Sequence, residues 1–449
     1  MKRTPPRMTR HGVAGLAGLT AIALLATGCS SGGGSTTPSG GSTATSGVTI
    51  TVALPADTAP PAAALTAFTD QTGIKVDWVI SDWDSLQTKI SAAATANTYF
   101  ADVTNVDWSR VGQLGKLKWF QPLEKYLDVN ALKADMPQLG SFTLDGHLIG
   151  VPYDSSYMVT TVNTELFAKA GITTMPTTMD EYTNDLKQIK AKGVVEFPLN
   201  IPFAAAEGLS TYWYETTNAF GGTVLDAKGK PQFTDPSSPG YKAAQWMVDA
   251  IKNGLVPPGN INVNDGQGEQ TLMAQGMAAS TLSDYSGLIN SLYNVTDSSK
   301  VVGKIQYLPT PGVDGPAGNL SNPDGMGIPT QAKYPAAAAK FIEWFNSAST
   351  QEDFAGLNGQ DKVWGSSFIP SRVSVVEKLA QAGSLADGEH LAAMLKTASP
   401  VFPQGAPTWY PTFSNAVYTN LHAAATGSMS VADAISAIAA VANQQASNG

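Results

Sequence analysis

A single cysteine, Cys29, stands in the 449 residues of this chain. One thiol excludes a disulfide framework and any metal site built from several cysteines. Histidine is scarce too. His11, His147, His390 and His422 lie far apart and form no His-x-x-x-His or Glu-x-x-His spacing, so no metal-ligating helix motif is expected. Charged residues make up only 14% of the chain, with 27 Lys and Arg against 36 Asp and Glu. Such an acidic balance lacks the basic cluster that nucleic acid requires. Beyond residue 28 no charge-free run approaches the ~20 apolar residues of a membrane span. Cofactor motifs are missing as well. Gly266-Gln267-Gly268-Glu269 lacks the Gly-Lys-Ser/Thr ending of a phosphate loop and reads as a loop before a helix. Asn264-Asp265-Gly266 reads as a turn rather than a calcium loop.

What is present begins with the surroundings of that cysteine. Lys2, Arg3, Arg7 and Arg10 precede an apolar run from Val13 to Ala26, and small residues fill Ala26-Thr27-Gly28-Cys29. A basic start, an apolar middle and a small-residue end make a secretory signal. The whole resembles a bacterial lipoprotein signal, in which cleavage before Cys29 frees an amine and a sulfur to carry acyl chains. Each buried methylene contributes ~0.8 kcal/mol, so two or more chains hold a protein firmly at a membrane. The expectation is a leader over residues 1–28, lipid on Cys29, and a place on the extracytoplasmic face of the cell membrane, tied by lipid rather than crossing. Without the leader, 23 basic residues face 36 acidic ones, a formal balance of −13.

Residues 29–47 are nearly all Gly, Ser, Thr and Ala after the cysteine; they cannot bury a core and read as a flexible tether. Order begins with the β-branched run Val48-Thr49-Ile50-Thr51-Val52-Ala53-Leu54. A helical stretch from Ala62 to Gln71 ends at Gly73, and Ile74 to Val79 forms the next strand. Strand, helix, strand at this spacing opens an α/β lobe with a parallel sheet. Asp84 to Ala96 is amphipathic, Ala101 to Val106 is a third strand, and Thr178 caps a helix from Asp180 to Lys192. Further helices are expected at 241–253, 335–347, 373–382, 390–397, 411–425 and 431–446.

Six segments then occur in a telling order. They are Leu148 to Asp154 with Gly150-Val151-Pro152-Tyr153; Val162-Asn163-Thr164-Glu165-Leu166-Phe167-Ala168-Lys169-Ala170-Gly171; Pro176 to Tyr182; Phe220-Gly221-Gly222; Leu272 to Ala279; and Gly325-Met326-Gly327-Ile328-Pro329 leading into Ala336 to Phe345. Together they resemble the family 1 extracellular solute-binding proteins of ABC importers, the maltose-binding-like group, with Val162 where that family has Tyr and Met179 where it has Trp. The resemblance covers about residues 48–440. It implies an α/β fold of two lobes in the manner of periplasmic binding proteins, with a ligand cleft between them and crossing hinge strands. The lobes are expected at 48–160 and 309–348 for the first, 161–308 and 349–449 for the second. Crossings are expected near Tyr157–Glu165, Gln306–Gly312 and Ala348–Gln351. The implied partners are a small carbohydrate and the transmembrane subunits of an ABC permease, with the protein acting as a monomer.

A sugar asks for flat apolar faces and fixed polar groups. Asp82 and Trp83 follow the second strand, and Asn105, Asp107 and Trp108 sit where the third ends. Asp154 lies on the approach to the first crossing. Tyr212 and Trp213 belong to an aromatic triplet, Asp284 and Tyr285 follow a strand, and Asp324 and Met326 flank a glycine. Trp364, Trp409 and Tyr410 lie in late loops rich in Gly and Pro. These fifteen residues are the expected ligand contacts, and truncation of Trp213, Trp364 or Trp409 is expected to weaken sugar binding. Ordinary roles compete: Asp as a helix cap, Trp as core.

Two rival functions keep part of this reading. The same fold could take a polyamine, amino acid or peptide, where a cationic ligand would need several converging carboxylates. A secreted glycoside hydrolase would need a carboxylate pair, and the sequence singles out none. The leader yields its own prediction: Cys29→Ser should release the protein into the medium, read by comparing membrane and culture fractions. Equal retention of the variant in the membrane would refute lipid attachment.

Overall fold

The computed structural model describes residues 42–55, 58–265, 267–355 and 369–448. The leader, Cys29 and Trp364 therefore lie outside the described residues. The last part of the expected tether is held in place. Ser42 N donates to the Lys333 carbonyl at 2.9 Å, and Gly47 N to that of Gly73 at 2.8 Å.

Two sheets organise the chain. The first runs in the order Lys75–Trp78, Thr49–Ala53, Val103–Asp107, Asp324–Gly327, Val151–Pro152. Its first three strands are parallel, as the βαβ spacing predicts, and Asp324–Gly327 inserts antiparallel to both its neighbours. The second sheet runs Ile305–Leu308, Met158–Asn163, Ser280–Tyr285, Leu199–Asn200. Helices cover both, giving two α/β lobes.

Local chemistry explains the elements. Helix Ala62–Thr72 stops where Gly73 adopts φ 70°, a left-handed turn that glycine takes without strain. Helix Met179–Ala191 starts in a full capping box, with Thr178 and Glu181 satisfying each other's backbone amides. Buried Asp102 gathers four donors: Thr51 N at 2.9 Å, Lys333 N at 2.7 Å, Tyr334 N at 2.9 Å and the Tyr99 hydroxyl at 3.1 Å. One carboxylate thus ties the first strand to the start of helix Pro335–Phe345.

The cores follow the sheets. Ile50, Val52, Phe68, Ile90, Val103, Phe341, Phe345 and Phe354 share the first. Tyr182, Leu186, Met247, Phe413, Val417 and Ile435 share the second, while Tyr157, Val159, Tyr307, Val376 and Leu391 pack together beside the second sheet. Strand Met158–Asn163 lies wholly in the second sheet. Segment 309–320 stays with the second lobe, where Asn319 Nδ2 reaches the Met158 carbonyl at 2.7 Å. Phe354, at the end of helix Ala348–Phe354, still packs in the first core. The chain thus changes sheets between 152 and 158 and between 308 and 324, and changes core after 354.

Glu215, in helix Glu207–Ala219, is fully buried and joins segment 309–320 to the second lobe. It accepts from the Thr310 hydroxyl and from Leu320 N at 3.2 Å. Burial pushes its carboxyl from an ordinary 4.5 up to about 8, against the pull of these donors. Between those two values the folded state holds a proton that the unfolded chain has lost, so stability falls as pH rises through this window. The expected slope is about 1.4 kcal/mol per pH unit, that of one proton. Glu215→Gln should flatten that part of the profile, measured by denaturant unfolding at pH 5 to 9.

Candidate ligand-binding cleft

A cavity of about 420 Å³ opens between the lobes. Its first-lobe wall is Pro55, Trp83, Asp107, Trp108, Ser109 and Asp324. These residues follow strand Thr49–Ala53, begin the helix after strand Lys75–Trp78, and stand at or beside one end of the Val103–Asp107 and Asp324–Gly327 pair. Ligands of open α/β sheets bind at the carboxyl ends of parallel strands. The second-lobe wall is Ala206, Glu207, Thr211, Asn264, Asp265, Gln270 and Tyr285, and Asp154, Ser156 and Asn322 come from segments between the sheets.

Each carboxylate is fixed by named donors. Asp107 accepts from Ser109 N at 2.8 Å and from the Ser109 hydroxyl, capping the turn Trp108–Arg110. Burial pushes its carboxyl upward, opposed by Ser109 and by the Arg110 charge. Asp324 stands directly opposite Asp107 in the antiparallel register. It accepts from Asn105 Nδ2 at 3.0 Å, and its own backbone N donates to Asp154 Oδ1 at 2.9 Å. Glu207 accepts from the Tyr410 hydroxyl and from Ser414 Oγ at 2.8 Å. Burial raises this carboxyl too, and the nearby Asp107 charge adds to the rise. The Tyr285 hydroxyl donates to Asp265 Oδ2 at 2.7 Å.

Of the expected contacts, Trp83, Asp107, Trp108, Asp154, Tyr285 and Asp324 line this cavity. Others support it from behind. Asn105 is buried, donating to Asp324 and to the Tyr153 hydroxyl while accepting from Gln87 Nε2 at 2.6 Å. Tyr410 holds Glu207 in position. Asp284 is buried beneath Tyr285, accepting from Tyr285 N at 2.9 Å and the Tyr293 hydroxyl at 2.7 Å, its carboxyl pushed by burial to about 6.

Five expected contacts do not line this cavity. Asp82 is exposed and caps its helix by accepting from Ser85 N at 2.9 Å. Tyr212 is buried and bridges the Asn200 carbonyl and Leu282 N. Trp213 is 0% exposed, with Nε1 on the Gly240 carbonyl at 2.9 Å and its ring centred 5.0 Å from Phe233. Met326 is buried in the first core. Trp409 packs edge-on against Phe413, on the flank of the second core. Each satisfies the core or capping role that its residue type serves elsewhere.

Glu207, Asp265, Asn264, Gln270, Ser156 and Asn322 escaped the sequence reading. Asn264-Asp265 carried a turn signal only, and Glu207 gave none beyond its place at a helix start. Trp108 proves to be shared. It lines the cavity while its ring stacks on Phe402 at 6.1 Å and meets Tyr410 edge-on at 5.5 Å.

Comparison with known proteins bears on this geometry. The profile of the bacterial extracellular solute-binding proteins matches residues 53–352. Binding proteins of Brucella abortus (strain 2308) and Brucella suis biovar 1 (strain 1330) are 27% identical over 194 residues, 42% of this chain. The match spans 45% of the length of each. A solute-binding protein of Agrobacterium radiobacter K84, solved with ribitol, superposes with a TM-score of 0.77 at 23% identity, covering 89% of this chain and 99% of that one. A maltose-bound T. maritima protein, MalE3, gives 0.73 at 22% identity over 89% and 100%.

The placement of Trp213 predicts a stability defect. Trp213→Ala should lower unfolding free energy by ~3–5 kcal/mol, the cost of an emptied aromatic site in a core. Urea titration measures it, and a change under ~1 kcal/mol would mean that the ring is not part of the core.

Proposed function

As the chain belongs to the bacterial extracellular solute-binding proteins, we propose that it captures a carbohydrate in the cleft between its lobes. The observation that carries this reading is the make-up of the cavity wall. Trp83, Trp108 and Tyr285 offer flat rings, while Asp107, Glu207, Asn264, Gln270 and Asn322 offer fixed polar groups. Rings cover the C–H faces of a pyranose or polyol, and carboxylates accept its hydroxyl protons. The likeness to proteins solved with ribitol, maltose and D-mannitol supports the same ligand class.

The delivery step belongs to the proposal. The lobes hinge where the chain changes sheet, between 152 and 158 and between 308 and 324. They close on the solute and present it to the transmembrane subunits of an ABC importer. No bond of the solute is made or broken. The protein works as a monomer, anchored through lipid on Cys29 at the extracytoplasmic face of the membrane. Among the described residues no helix is long and apolar enough to cross one.

A thermal-shift panel of monosaccharides, polyols and short oligosaccharides on the purified 48–449 fragment tests the reading. A true ligand at 100 times its dissociation constant should add ~2.7 kcal/mol of stability. Trp83→Ala removes a half-buried wall ring. It should weaken that ligand by ~1–3 kcal/mol with the unliganded melting point little changed. A panel without any stabilising saccharide or polyol would count against carbohydrate as the solute, and new reducing ends would mark the protein as a hydrolase.

A further inference from the structure

The cleft wall is more acidic than a neutral sugar asks for. Among the described residues lining it are Asp107, Asp154, Glu207, Asp265 and Asp324, and no Lys, Arg or His. A sugar hydroxyl both donates and accepts, whereas an ionised carboxylate only accepts; an ammonium, with three donors and no acceptor, is its natural complement. Carboxylates alone would not make a site. Here they line a cavity that also presents the Trp83 and Trp108 rings, and indole faces attract cations.

A second observation concerns the lobes. Asp107 stands directly across from Asp324 on adjacent strands of the first lobe, and a side-chain hydrogen bond with Asp324 favours the Asp107 carboxylate, so the pair shares a proton and keeps one negative charge. Glu207 comes from the second lobe and lies near enough for the Asp107 charge to raise its carboxyl. Closing the cleft therefore brings negative groups of the two lobes together. Arg110 eases both charges but is not among the lining residues. Nor do the described residues gather three or more metal-ligating side chains into a metal site.

Resting on the carbohydrate reading above, we infer that the solute is an amine-bearing carbohydrate, an amino sugar or a short oligomer of one. Its ammonium sits between the Asp107–Asp324 pair and Glu207, with the sugar ring against the indoles. Neutralising that cluster is what allows the two carboxylate walls to approach.

Isothermal titration with matched sugars tests this: D-glucosamine, N-acetyl-D-glucosamine and D-glucose, and the β-1,4 and α-1,4 disaccharides of each. The free-amine member of a set should bind at least about tenfold more tightly than its acetylated and neutral partners. Asp107→Asn keeps an acceptor for the Ser109 amide. It should remove most of that preference while the variant still unfolds cooperatively. Glu207→Gln is the second variant, should the first fail to fold, with the same loss of preference. If neutral or acetylated sugars bind as tightly as the amine and the variants leave the ratio unchanged, the amine inference falls and the carbohydrate reading stands. If no saccharide binds but a simple aliphatic diamine does, the carbohydrate reading falls and this inference with it.

Discussion

The insertion of strand Asp324–Gly327 between Val103–Asp107 and Val151–Pro152 is the constraint on which the rest of the molecule depends. It brings the chain back into the first sheet after the second has been built, and so makes that lobe discontinuous. The strand fits because of its glycines. A Cβ on Gly327 would lie 2.4 Å from the Ile149 carbonyl oxygen and 2.8 Å from the Phe120 ring, distances that no side chain tolerates. The same register sets Asp324 opposite Asp107 and within reach of Asn105. A close backbone approach deep in the sheet thus fixes the spacing of carboxylates at its rim.

Those carboxylates belong to a wider habit of this protein. Its buried acids are held largely by hydroxyls: Asp107 by Ser109, Glu207 by Tyr410 and Ser414, Glu215 by Thr310, Glu269 by Thr281, Asp284 by Tyr293. Hydrogen bonds of this kind reduce the penalty of burial and orient the group, but they bring no opposite charge to it. Glu269 shows the result: burial and the neighbouring Asp284 charge push its carboxyl well upward. Burial thus favours the neutral form of the carboxyls that lie beneath Tyr285 and Asp265.

Period and capping made the scaffold legible in sequence. The β-branched run at Thr49–Ala53, the Gly73 stop and the Thr178 cap all mean the same thing locally and globally, and they stand where the residues require. The site was legible only where it adjoins such an element: Asp107 and Trp108 at a strand end, Trp83 at a helix start. Trp213 misled because three aromatics in a row say nothing about which helix face meets the core. The neighbours that decided it, Phe233 and Gly240, lie on another segment. Asp265 and Asn322 were invisible for the converse reason. Each occupies a loop whose position is set by contacts remote in sequence, and a polar residue in a loop carries no mark of the wall it will join.

Trp108 shows how these parts act on one another. Its ring lies against Phe402 and Tyr410 of the second lobe, and the Tyr410 hydroxyl in turn holds Glu207. The residue just before Trp108 is Asp107, whose charge opposes that of Glu207. Two terms of opposite sign therefore meet at one point of the cleft. Aromatic contacts, ~0.5–1.5 kcal/mol each beyond the area they bury, draw the lobes together, and carboxylate repulsion parts them. A solute shifts such a balance only by its differential affinity for the two arrangements of the lobes. On the reading proposed above, a solute that covers the indole and neutralises the carboxylates strengthens the first term and weakens the second, so that recognition and closure would follow from the same contacts.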